Sequence, residues 1–259
     1  MDSAGRKVIV WTGTSSGLNF EAVEALLKRA AESAKPLAHV RSPAAATDTR
    51  GRTGRRLSRL GRSGSQPRSG SVASVASVAS AQEGYCPPLH LVLALRDEQS
   101  QNCIDAVMHF RELAELSGSV IESHACDLAD LAAVRTFAAR VMADHDAVSA
   151  VVLGAAIACW GPPSYANDGY ELGLTVNHLA QWLLVYLLRD RIVDRVVFVG
   201  SALYRSADLR GIKLNARRKG GPHKPVAYNA TKTVQALCVA PWVEHFRPRG
   251  VDVLYCTPG

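Results

Sequence analysis

The 259-residue sequence has no two cysteines at C-x-x-C spacing. Its six cysteines, Cys86, Cys103, Cys126, Cys159, Cys238 and Cys256, are scattered, several within apolar patterns where a thiol serves as a small hydrophobe. That excludes a disulfide framework and predicts a reducing intracellular compartment such as the cytoplasm. The eight histidines show no ligand spacing either, so no metal site is expected. Long apolar runs are missing too. No stretch reaches the roughly 18 residues of a membrane span. The richest, 179–188, contains Gln181 and runs into Arg189-Asp190-Arg191, which reads better as a buried helix. The early apolar run 8–11 is too short for a signal peptide, and Gly13, Ser15 and Ser16 interrupt it.

Acidic residues are scarce in one segment. Between positions 36 and 88, eight arginines and no lysine stand against two acids, Asp48 and Glu83. The segment therefore carries +6 of the formal net charge of +7, and the remainder is close to neutral. The body of the chain gives no argument for a nucleic-acid or membrane partner. Residues 36–88 also hold an Arg/Ser/Gly stretch, a Ser-Val-Ala repeat and almost no large apolar side chain. Such a segment cannot bury enough surface to offset its ordering entropy and is expected to be a disordered insertion. Its first reading is a solvated surface loop. The others are a phosphorylatable or weakly electrostatic Arg/Ser tract, and translated non-coding sequence.

What is present is a regular alternation. A short apolar run at 8–11 fits a buried parallel strand and leads into Thr12-Gly13-Thr14-Ser15-Ser16-Gly17-Leu18-Asn19. A helix follows, with apolar positions at Phe20, Val23, Leu26, Leu27 and Ala30. This turn is either a pyrophosphate cradle, with backbone N–H groups and the helix dipole aimed at an anion, or an ordinary strand-to-helix turn. Beyond the insertion the pattern predicts strands at 89–95, 119–126, 148–153, 195–199 and 251–255. Helices are predicted at 98–116, 131–145, 169–188 and 227–246. Repeated β-α units with buried strands imply one α/β domain over 1–259, a doubly wound parallel sheet of the Rossmann type. Ligands of such sheets bind beyond the carboxyl ends of the strands, where Gly13, Arg96, Asp127, Gly154, Ser201 and Gly259 all fall.

Tyr228 and Lys232 stand four residues apart, one above the other on a predicted helix face. An ammonium beside a phenol favours the phenolate, lowers its pKa from about 10, and makes it a usable proton donor and acceptor.

Taken in order, Thr12-Gly13-x-x-x-Gly17, Asp127-Leu128, Asn177, Ser201 and Tyr228-x-x-x-Lys232 resemble the short-chain dehydrogenase/reductase family. The run Val176-Asn177-His178-Leu179-Ala180-Gln181-Trp182-Leu183-Leu184 is similar to that family's retinol dehydrogenase and WW-domain oxidoreductase branch. The resemblance covers everything except the insertion. It implies an NAD(P)-dependent oxidoreductase acting on a small carbonyl or alcohol substrate, apolar ones included. It implies that Tyr228 is the general acid/base and that Lys232 lowers its pKa and holds the nicotinamide ribose. Ser201 would bind the substrate oxygen, and Asn177 a proton-relaying water. Gly13, Ser15, Ser16, Gly17 and Leu18 would line the pyrophosphate turn. Asp127 and Leu128 would face the adenine, and Gly154, Ala155, Pro258 and Gly259 would complete the cofactor groove. Arg96, where an acid would select NAD(H), favours the 2′-phosphate of NADP(H). The resemblance also implies a homodimer through the Asn177 and Tyr228 helices.

The sequence departs from that family at three places. Asn19 stands for the third turn glycine, putting a side chain where helix and strand pack closely. Leu153-Gly154-Ala155-Ala156 replaces Asn-Asn-Ala-Gly, although small residues still let backbone approach the cofactor. The chain stops at Pro258-Gly259, where the family continues with a substrate-covering lid. The resemblance therefore implies either a truncated chain or a catalytically impaired dinucleotide-binding protein. A methyltransferase would share the first glycine turn but would give no reason for Ser201, Tyr228 and Lys232.

Overall fold

The computed structural model describes residues 1–15, 17–34, 86–159, 164–207, 209–210 and 228–258. The expected disorder of 36–88 concerns residues that lie almost wholly outside these. Six strands form one parallel sheet: β1 (Lys7–Thr12), β2 (Leu89–Leu95), β3 (Val120–Ala125), β4 (Val148–Leu153), β5 (Ile192–Val199) and β6 (Asp252–Cys256). Their spatial order is β3-β2-β1-β4-β5-β6, with every pairing parallel. This is the doubly wound Rossmann arrangement. The order reverses between β1 and β4, which opens a crevice at their carboxyl ends.

The strand sequences explain why both faces must be covered. Along β1, Val8 and Val10 point to one face while Ile9 and Trp11 point to the other, and all four are buried. The Ile9/Trp11 face packs on Val23 and Leu27 of α1 (Gly17–Ala34) and on Val107 and Phe110 of α2 (Gln101–Glu115). The Val8/Val10 face packs on Val134 and Phe137 of α3 (Leu131–Asp144), Leu184 of α4 (Ala180–Leu188) and Phe246 of α6 (Val239–Phe246). Asp130 caps α3, its carboxylate accepting from the Ala132 and Ala133 amides.

Two predicted helices are broken at physically specific points. The predicted helix over 169–188 begins only at Leu172, passes through a π-helical turn at Thr175–Leu179, and then continues as α4. Such turns are rare and concentrate at functional sites; this one holds Asn177. The predicted helix over 227–246 divides into α5 (Tyr228–Leu237) and α6, with the break at Cys238. Pro241 is the reason. It has no N–H to give to the Leu237 carbonyl four residues back, and its ring clashes with that carbonyl.

Candidate functional site

Thr12 ends β1 fully buried, and its hydroxyl accepts from the backbone N–H groups of Gly154 and Ala155, at 3.1 and 3.2 Å. This pins the β1 turn to the exit of β4. Gly13 then turns with φ +77°, and a Cβ there would meet the Ala155 backbone at 2.5 Å. Only glycine fits, on both conformation and space. Gly17 opens α1, also at positive φ. Ser16 and Gly259 lie outside the described residues.

A cleft of about 700 Å³ opens over this turn. The Gly13 turn gives it a floor, with Ser15 and Leu18 among its lining. One wall carries Arg96, Asp127 and Leu128 from the ends of β2 and β3; the other carries Gly154, Ala155 and Pro258. Tyr228 and Lys232 close the far end. Most of the sequence-predicted residues thus converge; Gly17, Ser201 and Asn177 are not among the lining. Two features fit the phosphates of a dinucleotide in the turn. The Gly13 cradle is one. The other is the Thr14 hydroxyl, which is buried and has no hydrogen-bond partner among the described residues. Burying a hydroxyl unpaired costs about 1–3 kcal/mol, a cost that an anion's oxygen would remove.

At the Tyr228/Lys232 end, the ammonium and the phenol have different partners. Lys232 is 1% exposed and spends its ammonium on the Val199 carbonyl at 2.7 Å and the Gln235 side-chain oxygen at 3.2 Å. Its nitrogen stands 5.9 Å from the centre of the Tyr228 ring. Burial lowers the Lys232 pKa to about 8. The Tyr228 phenol is raised above its ordinary value by burial, and the Ser201 hydroxyl, hydrogen-bonded to it, pulls the other way. Ser201 is thus the direct hydrogen-bond partner that favours the phenolate, while the Lys232 ammonium stands near the ring without bonding the phenol.

Asn177 is fully buried, and its side chain is saturated. Its oxygen accepts from the Ile157 N–H at 2.8 Å, and its nitrogen donates to the Ile157 carbonyl at 2.8 Å and the Thr231 hydroxyl at 3.0 Å. It braces the segment after β4 against α5. Asp127 likewise accepts from the Ala129 N–H through one carboxylate oxygen. Arg96 is exposed on the cleft, whereas the Asp97 carboxylate turns to the Gln99 amide.

Asn19 does not merely crowd the turn. Its side chain donates to the Gly154 carbonyl at 2.8 Å and accepts from the Trp11 indole at 3.3 Å. A Cβ at 154 would collide with that amide. Gly154 is therefore small chiefly because Asn19 fills the space beside it.

Sequence reasoning missed three contributors. Gln181 and Gln235, both buried, link Lys232 to the exit of β4. The Gln235 amide donates to the Gln181 oxygen at 2.9 Å, and Gln181 donates to the carbonyls of Ala155 and Val176, at 2.5 and 3.1 Å. Their signal was helical spacing, Gln181 four after Asn177 and Gln235 three after Lys232. Tyr255 of β6 had no such signal. Its hydroxyl donates to the Lys232 carbonyl at 3.2 Å and its ring lies against Gly200. The expectation that the histidines form no ligand cluster also needs correction: His90, His124 and His145 converge on Glu122, away from the cleft.

No family model matches the chain. Among curated proteins it is 31% identical over 180 residues to the human WW domain-containing oxidoreductase, covering 66% of this chain and 42% of that one. It is 31% identical over 175 residues to human retinol dehydrogenase 13, covering 66% and 51%. With mouse retinol dehydrogenase 12 the figures are 27% over 150 residues, 56% and 46%. The matches span about half the length of these curated relatives. Among solved structures, a metagenomic short-chain oxidoreductase in complex with NADP aligns over 98% of this chain and 82% of its own, with TM-score 0.55 and 19% identity. L-sorbose reductase from Gluconobacter frateurii, complexed with NADPH and L-sorbose, aligns over 98% and 69%, with TM-score 0.58 and 16% identity.

Proposed function

We propose that this chain, which belongs to the short-chain dehydrogenase/reductase family, is an NADP(H)-dependent oxidoreductase. It interconverts a small carbonyl compound and its alcohol, apolar substrates included. The observation that carries the reading is the meeting of Tyr228, Lys232 and the Gly13 turn on one cleft, with Ser201 bonded to the phenol. The bound nicotinamide supplies or accepts the hydride.

The chain's own residues manage the proton and the charge. Tyr228 gives its proton to the substrate oxygen in reduction and takes it back in oxidation. Ser201 donates to the same oxygen as charge develops there. Lys232, charged at neutral pH, would hold the nicotinamide ribose. Asn177 positions α5 through Thr231, beside a proton-relaying water that would lead to Lys232. Arg96 takes the 2′-phosphate as a fork of donors. Dimerisation through α4 and α5 belongs to the same proposal and is supported by the exposed Trp182 and Tyr186 on α4.

A second reading is a catalytically impaired dinucleotide-binding protein. It is favoured by the ammonium of Lys232 and the amide of Asn177 both being satisfied within the core. NADPH oxidation against a panel of aldehydes and ketones, with wild type and Tyr228→Phe, separates the two. Turnover that falls by about 10²–10⁴-fold in Tyr228→Phe, with NADPH binding retained, is expected. NADPH binding without turnover in wild type would favour the second reading, and no NADPH binding would sink both.

A further inference from the structure

At the far side of β2 from the cleft, four titratable side chains are packed in an ordered way. His90 is the second residue of β2, five before Leu95, so about 16 Å of strand separates it from the cleft. Glu122 lies on neighbouring β3, paired in register beside Val92, and so shares the sheet face of His90. His145 caps the carboxyl end of α3 in an extended conformation, which brings its ring down onto that face. The Glu122 oxygen Oε2 lies 2.9 Å from His90 Nε2 and 3.1 Å from His145 Nε2. The ligand atoms of these three residues all lie within 4.8 Å of one another.

We propose that His90 Nε2, His145 Nε2 and Glu122 Oε2 form a binding site for one divalent cation of the Zn²⁺ class. Two neutral imidazoles and one carboxylate are the donor set such an ion takes, with a water in the fourth position. Tetrahedral ligands at about 2.0–2.1 Å from the ion are about 3.3 Å apart. The observed 2.9 and 3.1 Å need to open by only a few tenths of an ångström.

The surroundings have the character of a metal site's outer shell. His90 Nδ1 lies 3.0 Å from the Asp2 carboxylate, which is itself held by Arg6 at 2.7 Å and by the Ala4 and Arg6 amides. Without metal, an imidazolium at His90 bonds both carboxylates; with metal bound, Asp2 would keep the proton on Nδ1 and leave the Nε2 lone pair to the ion. The second carboxylate oxygen, Oε1, is bonded by His124 Nε2, which orients the carboxylate. His145 is 4% exposed and His90 13%, so the ion is largely shielded while Glu122, at 20%, leaves an entry. Bound metal would clip the edge strand β3, the end of α3 and the N-terminal segment together.

The test uses the full chain, freed of metal by a chelator and titrated with Zn²⁺ and with Co²⁺ by calorimetry and visible absorption. One equivalent per chain is expected, with four-coordinate Co²⁺ bands and a raised melting temperature. In wild type, histidine nitrogen NMR should report two imidazoles coordinated through Nε2. Glu122→Gln and His145→Asn should abolish the stoichiometric site. His124→Ala should weaken it about 10–100-fold, as loss of an outer-shell partner does. Absence of binding at micromolar metal overturns the proposal. So does one-equivalent binding that survives in the folded Glu122→Gln/His145→Asn double variant. Since the wild-type spectra stand alone, a variant that fails to fold does not rescue the idea.

Discussion

The side-chain amide of Asn19 occupies the space that a side chain at Gly154 would need, and bonds the Gly154 carbonyl at 2.8 Å. Two departures from the family pattern, far apart in sequence, are thus one compensated exchange.

That exchange predicts coupling. Asn19→Gly loses two hydrogen bonds and adds a glycine near the start of α1, costing about 1–3 kcal/mol. Gly154→Asn alone forces a clash and should cost at least as much. The double variant Asn19→Gly/Gly154→Asn should recover about 0.5–3 kcal/mol relative to the sum of the singles. Denaturant unfolding of the four proteins measures this, and strict additivity would refute the compensation.

The proposed preference for NADP(H) assigns the 2′-phosphate to Arg96. Arg96→Ala should weaken NADPH binding by tenfold or more, since a charge-assisted fork is worth about 1.5–3 kcal/mol, while NADH binding stays level. Binding isotherms with both cofactors decide it; an unchanged preference removes Arg96 from the assignment.

The Gln235 contact sets the environment of Lys232. Gln235→Leu leaves the Gln181 oxygen and one donor of Lys232 unmet in the core, so a loss of about 1–3 kcal/mol per group is expected. Gln235→Glu places a carboxylate there instead and should raise the Lys232 pKa from about 8. A side-chain NMR titration of the lysine signals follows it.

His178, buried in the π turn, has its pKa lowered to about 4 by desolvation, from an ordinary 6.5. The folded state resists the proton that the unfolded state accepts. The resulting stability is therefore fully present above the unfolded value and is lost as pH falls from about 6.5 towards about 4, up to about 3 kcal/mol. Below that the contribution is flat. Unfolding free energies measured across this window should show the slope, and His178→Gln should flatten its upper part; an unchanged slope would point to other groups.

Much of this protein was legible in its sequence because the signals are local. Buried parallel strands read as apolar runs, the helices as 3.6-residue periodicity, and Gly13 as the turn between them. Strand ends then collected Gly13, Arg96, Asp127 and Gly154 at the carboxyl end of the sheet, which is where the cleft lies. Even the break between α5 and α6 was available from Pro241, had its missing N–H been weighed against Leu237.

The tertiary structure alone decided what depends on three-dimensional neighbours. Four residues of spacing put Tyr228 and Lys232 on one helix face, but burial and the Val199 carbonyl decided where the ammonium points. Asn177 was visible as a polar residue on a helix; that its amide is consumed by Ile157 and Thr231 depended on packing across two other segments. The gathering of His90, Glu122 and His145 depended on β2 and β3 pairing in one register and α3 ending above them. Sequence patterning determined which residues lie at which end of which element, because backbone periodicity is a local property. Charge, hydrogen bonding and metal-ligand geometry are set by groups tens of residues away, and only the folded chain brings those together.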